Sequence, residues 1–371
     1  MKFNWKECTL GDFITFQRGY DLPKSQMING KYPVVGSNGI IGYHEYTTEF
    51  PSITIGRSGN VGNPFIVYGR TWSHNTTLYV KDFKGNDPTF VFYFLKMMNL
   101  ANYAGGSAVP TLNRNHIHTL PVKVPESVEA QKKIGYYLRL LDEKIELNNA
   151  INKNLLEQAL TLYTTQFSSL EKNGCIGNYC TVKSGFAFKS SWWTNIGVKV
   201  IKIGSINQDN LNLSECSYVD EDKIDKAKDF VVKAGDLLIA MTGATIGKFA
   251  MVPYSSEVLL VNQRVGKFFL GNNPVEKLPF IYCTLKQPKV YNEVVNRGQG
   301  SAQPNISASD IMSIPCVIPS QEAINNFNNV AKPLFDLIIS NQRENQQLSE
   351  ICNTLLPKLM SGKLDVSTLE F

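Results

Sequence analysis

The chain has 371 residues, 43% hydrophobic and 11% aromatic, enough for two domains of ordinary size and too apolar for a disordered protein. Its formal charge of +5 permits a polyanionic partner without demanding one. There is no run of about 18 apolar residues, no signal-peptide stretch in Met1 to Glu7, and no disulfide framework among seven scattered cysteines; the expectation is a cytoplasmic chain with reduced thiols and no membrane contact.

Along the chain, the first elements return later as a second copy. Gly11, Thr15 and Gly19 recur as Gly177, Thr181 and Gly185, with aromatic residues at Phe13, Tyr20, Tyr179 and Phe186. The apolar run from Ser52 enters the glycine-rich turn Arg57-Ser58-Gly59-Asn60-Val61-Gly62, much as the run from Leu238 enters Thr242 to Gly247. Asn75 is read as the counterpart of Asn262. Gly106-Ser107-Ala108 and Pro110 match Gly300-Ser301-Ala302 and Pro304, followed by Leu120-Pro121 and Ile314-Pro315. A repeat is sought first because missing one misassigns the fold. The offset grows from 166 (177 − 11) to 194 (300 − 106), so the second copy carries longer loops. One scaffold with divergent loops suits two targets, although a duplicated domain without a binding role would also repeat.

Within each copy, β-branched and aromatic runs (Ser52–Ile55, Thr77–Val80, Lys199–Ile203, Leu237–Met241) alternate with Gly, Asn and Pro turns and predict strands. Phe90–Met97 and Leu278–Leu285 carry helical spacing. Gly36 to Gly42 has the wrong spacing for a dinucleotide loop and reads as a turn.

After Pro125 and Pro319 apolar residues fall four and three apart, which predicts two long helices. One seam holds Ile134, Leu138, Leu141, Ile145, Asn148, Asn152, Leu155, Ala159, Leu162 and Gln166; the other holds Phe327, Ala331, Leu334, Ile338, Asn341, Asn345, Leu348, Cys352, Leu355 and Leu359. Two asparagines on each seam are expected to fix register. Parallel pairing at the uniform offset of 193 (327 − 134) would also match Asn with Asn, but the tandem order of the copies favours antiparallel pairing, which joins residues whose numbers sum to 493: Asn148 with Asn345, Asn152 with Asn341, Ile145 with Leu348, Leu155 with Ile338, and Leu138 with Leu355. The result would be a pseudo-two-fold molecule with globular parts at opposite ends. Pro333 and Pro357 should kink or end the second helix, and Gly174 and Gly362 suit left-handed caps. The dependable layers, about 22 residues, make a rod of roughly 33 Å, near the ~34 Å that separates DNA half-sites. The expected fold is α+β: tandem mainly-β domains at 1–125 and 175–319, with helices at 126–174 and 320–371.

The sequence resembles the specificity (S) subunit of type I restriction-modification enzymes over nearly its whole length. Trp5 to Gly19 is similar to that family's opening, Gly300 to Ser307 to the close of its target-recognition domain, and Ile338 to Leu348 with Leu355 to Gly362 to its distal conserved helix. The resemblance implies two target-recognition domains reading a bipartite site in double-stranded DNA, and helices that space them and dock two methyltransferase subunits. It further implies that adenine methylation with S-adenosylmethionine, and restriction with ATP and Mg²⁺, belong to partner methyltransferase and restriction subunits, so that this chain needs no cofactor and is not an enzyme.

The residues agree with that division. No Asp/Asn-Pro-Pro-aromatic motif or P-loop is present, and His44, His74, His116, His118, Cys175 and Cys180 lack zinc spacing. DNA contacts are expected where Arg, Lys, Asn, Ser or Thr sits beside glycine: Arg57, Ser58, Asn60 and Asn75 in the first copy; Thr242, Lys248, Asn262, Arg264, Arg297, Gln299 and Ser301 in the second. The charged helix faces (Glu129, Lys132, Glu146, Lys153, Glu157, Arg343, Glu344, Glu350) are expected to be solvated or to dock partners. An adaptor gripping protein loops with both heads is the competing reading; steep salt dependence of duplex binding separates the two.

Overall fold

The computed structural model describes residues 3–28, 30–106, 110–298 and 304–366. The chain divides into two compact units, Met1–Lys144 with Leu348–Phe371, and Ile145–Gln347. Each unit thus combines one head with one half of each long helix.

In the first unit, β1 (Trp5–Thr9) leads into the short helix α1 (Leu10–Phe13), capped by Thr9, whose side chain accepts from Asp12. Next come β2 (Thr15–Arg18), β3 (Tyr32–Gly36), β4 (Gly39–His44), β5 (Ser52–Gly56), β6 (Pro64–Val67), β7 (Trp72–Ser73) and β8 (Thr77–Asp82). The head is completed by α2 (Pro88–Met98), α3 (Arg114–His118) and β9 (Pro121–Pro125). A four-stranded sheet runs β2-β8-β5-β6 and a three-stranded one β4-β3-β7, while β1 and β9 pair antiparallel from Trp5↔Pro125 to Thr9↔Pro121. The turn from Gly36 to Gly42 is the β3–β4 hairpin, with Gly39 at φ 98°, a conformation glycine adopts without steric cost.

The long helix α4 spans Val128–Phe167. Beyond it the second unit contains β10 (Gly174–Cys175), β11 (Thr181–Ser184), β12 (Trp193–Thr194), β13 (Val198–Ile201), β14 (Ile206–Asn207), β15 (Asn210–Leu211), β16 (Ser217–Val219) and β17 (Val231–Val232). Then follow β18 (Leu237–Ala240), β19 (Phe249–Met251), β20 (Leu259–Val261), β21 (Val265–Phe269), α5 (Leu278–Lys286), α6 (Pro288–Gly298), α7 (Ala308–Met312), β22 (Pro315–Cys316) and α8 (Gln321–Met360). The sheet β11-β21-β18-β19 repeats the order of β2-β8-β5-β6, and the parallel pair β13/β20 repeats β3/β7. With β16 in the place of β4, the extra strands β12 and β17 widen the second sheet from three to five; this is where the longer loops went.

Each head closes its core on helix. In the second unit Tyr163 and Phe167 of α4, Phe280 of α5 and Phe327 of α8 form one aromatic cluster. In the first, Leu138 of α4 and Cys352, Leu356 and Leu359 of α8 share a core with Phe90 and Phe94, and Leu355 packs against it. The asparagines of the second unit meet in the sum-to-493 order. Asn148, 1% exposed, donates to Asn345 Oδ1 at 2.9 Å and to Glu344 Oε2 at 2.7 Å, and Asn341 donates to Asn152 Oδ1 at 2.8 Å. Leu155 is half-buried beside this core and Ile338 is buried in it; Ile145 and Leu348, at the division between units, are half-buried.

Three expectations fail locally. Helix α8 runs unbroken through Pro333 and three residues past Pro357. Its neighbours Ala331, Phe335, Ile338 and Ile339, and later Leu356, Leu359 and Met360, are buried, and that packing outweighs the ~3 kcal/mol proline penalty. Helix α4 stops at Phe167, and Gly174 lies in β10 paired with Cys316 rather than capping it; Gly362, at φ 70°, does follow α8 in the left-handed region. Glu344, assigned to an outer face, accepts from Asn148 instead. All seven cysteines carry free thiols, and no helix among the described residues is long and apolar enough to cross a membrane.

Candidate nucleic-acid interface

The two heads present the same loops because the same backbone hydrogen bonds hold them. Gly19 N–H donates to Thr77 O at 3.0 Å and Tyr20 N–H to Ser73 O at 2.8 Å; Gly185 and Phe186 repeat this on Val265 O at 2.9 Å and Val261 O at 2.8 Å. His74 N–H donates to Val35 O as Asn262 N–H does to Ile201 O, both at 3.0 Å. Arg57 N–H reaches Thr76 O at 2.8 Å and its carbonyl accepts from Leu112, matching Met241 on Arg264 O at 3.0 Å with Ile306 donating to its carbonyl. The turn after β5, the turn between β7 and β8, and the strand-like return at Thr111 and Leu112 therefore converge at one place in each head. Glycine is required there: Gly59 and Gly243 have φ of 80° and 71°, unfavourable for any residue with a Cβ.

This register corrects one sequence pairing. The residue matching Asn262 is His74, so Asn75 corresponds to Gln263 and Thr76 to Arg264. Identity of the two asparagines suggested the one-residue slip; backbone N–H groups, which set the register, carry no side-chain signature.

The candidate residues separate by what they already hold. Asn262 is 6% exposed and its Oδ1 accepts the Arg264 N–H at 3.3 Å, an Asx-type turn that His74 reproduces through its Nδ1 and Thr76. Asn75 donates to Asp21, and Asn60 accepts from Asn63. The Arg57 guanidinium, half-buried, donates to Asn75 O at 3.4 Å, which ties two adjacent turns together. Ser58, Thr242 and Lys248 are half-buried beside the same turns, and Arg264 is exposed. The Thr242 hydroxyl is buried without a hydrogen-bond partner among the described residues. Arg297 is committed elsewhere: it donates to Glu293 Oε1 at 2.9 Å, to Asp310 O at 3.1 Å and to Ser313 Oγ at 2.6 Å, fastening α6 to α7. Gln299 and Ser301, and with them the whole stretches Gly300 to Gln303 and Ser107 to Val109, lie outside the described residues.

One residue that the sequence did not single out, Lys202, stands beside these turns in the second head. Lys202, directly after β13, and Gln263 line a cleft of about 250 Å³ with Phe188, Trp193, Asn262 and Arg264. The Lys202 ammonium lies 3.7 Å from the Trp193 ring centroid, and burial pushes its pKa below the usual lysine value. The only sequence signal would have been position: Lys202 occupies the register of Gly36 at the end of β3.

Two copies of one α+β scaffold, alike in backbone and different in the side chains their loops carry, define a duplicated recognition module. A sequence profile described as the type I restriction modification DNA specificity domain matches residues 3–157 and 171–352. The chain belongs to this family, the specificity subunits of type I restriction-modification systems. It is 22% identical over 406 aligned residues to the type I restriction enzyme MjaVIII specificity subunit of Methanocaldococcus jannaschii, covering 99% of this chain and 95% of that one. It is 24% identical over 309 residues to the MjaIX specificity subunit of the same organism, covering 76% and 70%. The crystal structure of a type I restriction-modification system S subunit from M. genitalium shares the fold, with a TM-score of 0.59, 18% identity and 96% of each chain covered.

Because Arg297 is held by three groups of its own head, Arg297→Ala is expected to lower stability by ~1–3 kcal/mol without changing sequence selection. Chemical denaturation measures the first and binding to duplexes of varied sequence the second; altered selection at unchanged stability would reverse the assignment.

Proposed function

We propose that this chain selects the DNA site of a type I restriction-modification complex, the first head reading one short block of duplex and the second head another. The observation that carries the reading is divergence at matched positions: Gly36, Asn75 and Thr76 in one head stand where Lys202, Gln263 and Arg264 stand in the other. Arg, Lys, Asn and Gln are the side chains that reach base edges, while Ser, Thr and backbone N–H groups position the phosphates.

On this reading the chain supplies recognition, and two methyltransferase subunits dock on the helices. Methyl transfer from S-adenosylmethionine and restriction driven by ATP with Mg²⁺ are carried out by those partners and by restriction subunits. The protein-loop adaptor is disfavoured by the same divergence, since the differing groups are donors and amides rather than apolar anchors.

The test is titration of duplexes in which one half-site at a time is scrambled, repeated over a range of salt. Binding is expected to fall steeply with salt, and Arg57→Ala, through the turn it holds, to weaken recognition of one half only. Equal loss at both halves, or binding insensitive to salt, would count against the proposal.

A further inference from the structure

The second head holds a group of free donors that the first does not. At the matching positions of the first head, Gly36 has no side chain, Asn75 donates to Asp21, and Thr76 Oγ1 accepts from Ser37 N–H at 3.2 Å and pairs with His74 Nδ1 at 3.0 Å. In the second head Lys202 and Arg264 open on one cleft walled by Phe188 and Trp193. Neither makes a side-chain ion pair or hydrogen bond with another described residue; the Lys202 ammonium rests against the Trp193 ring, and burial lowers its pKa. Both are donor-only groups. A ligand that satisfies them must present adjacent acceptors.

Among base edges in the major groove, guanine alone offers two adjacent acceptors, O6 and N7; adenine sets a donor beside its acceptor, thymine a methyl, and cytosine presents a donor. We infer that the cleft of the second head reads a guanine within the block assigned to that head, Arg264 and Lys202 donating to its O6 and N7. The inference rests on the proposed function and adds to it the identity of one base. A phosphate would satisfy the same donors, and the test separates the two.

The full-length chain in complex with methyltransferase subunits is presented with a pool of randomised duplexes, and the bound fraction is sequenced, for the wild type and for Lys202→Met and Arg264→Gln. The wild type is expected to select two blocks, one with a fixed guanine, and each variant to relax that one position by ~10-fold or more. The first head's block and the remaining positions of the second block, unchanged in both, report that both heads are folded. Uniform weakening across all sequences, with the salt slope reduced by about one per variant, would assign the cleft to a phosphate and overturn the inference. Two blocks selected identically by wild type and variants would overturn it while leaving the proposed function standing. No selected sequence at all would remove both.

Discussion

Gly19→Ala is expected to abolish sequence selection by the first head and to leave the second head's selection intact. A Cβ at Gly19 would lie 2.1 Å from His74 O and 2.5 Å from Ser73 O, far inside contact distance and against backbone that has no rotamer to change. The end of β2 would have to leave the turn between β7 and β8, breaking the Gly19 N–H to Thr77 O and Tyr20 N–H to Ser73 O bonds. That turn carries Asn75 and Thr76 and receives Arg57. A local loss of about 3 kcal/mol, which clashes of this kind reach, corresponds to roughly a hundredfold in selectivity for one block. Gly185→Ala should do the same to the second head, since its Cβ would meet Asn262 O and Val261 O, each at 2.5 Å. Binding to duplexes with one block scrambled separates the two variants; loss shared equally between blocks would mean that the heads do not read independently.

Phe327→Ala should produce the largest loss of stability, ~3–5 kcal/mol. Phe327 is fully buried, with ring centroids 5.7 Å from Tyr163, 5.6 Å from Phe167 and 6.5 Å from Phe280. Its removal opens a cavity where α8, α4 and α5 meet, and none of the flanking rings has a flexible stem with which to fill it. Chemical denaturation checks the figure, and a loss under about 1 kcal/mol would show that the aromatic cluster does not anchor the helices. Farther along α4 and α8, past Ala331 and Ile338, the seam is polar: Asn148 and Asn341 make side-chain hydrogen bonds across it, which fixes which residues face each other more than it adds stability.

Both cases show what the sequence could and could not carry. Helical spacing exposed α4 and α8 over most of their length, and the paired asparagines gave the order in which their side chains meet within the second unit, because a seam imposes a period that residue identity reveals. The runs from Ser52, Thr77 and Leu237 became β5, β8 and β18 for the same reason. Strands β12 and β17 are two residues long and β16 three, too short for alternation to register, so the five-stranded sheet of the second head was not legible. Proline at 333 signalled a break that tertiary packing overrode. Glycines and amides marked the turns that converge in each head, yet Asn262 and Arg297 are engaged within the head itself, and Lys202 carried no such mark. Whether a polar side chain faces its own fold or outward depends on partners distant in sequence, such as Ser313 for Arg297.

The most direct test of two divergent heads reading one site is to sequence methylated adenines in cells that produce this chain with its methyltransferase subunits. The expected result is a single new motif of two short defined blocks separated by an undefined spacer of fixed length, with Gly19→Ala erasing the definition of one block and Gly185→Ala that of the other. A contiguous motif, or methylation unchanged by the presence of the chain, would contradict the account.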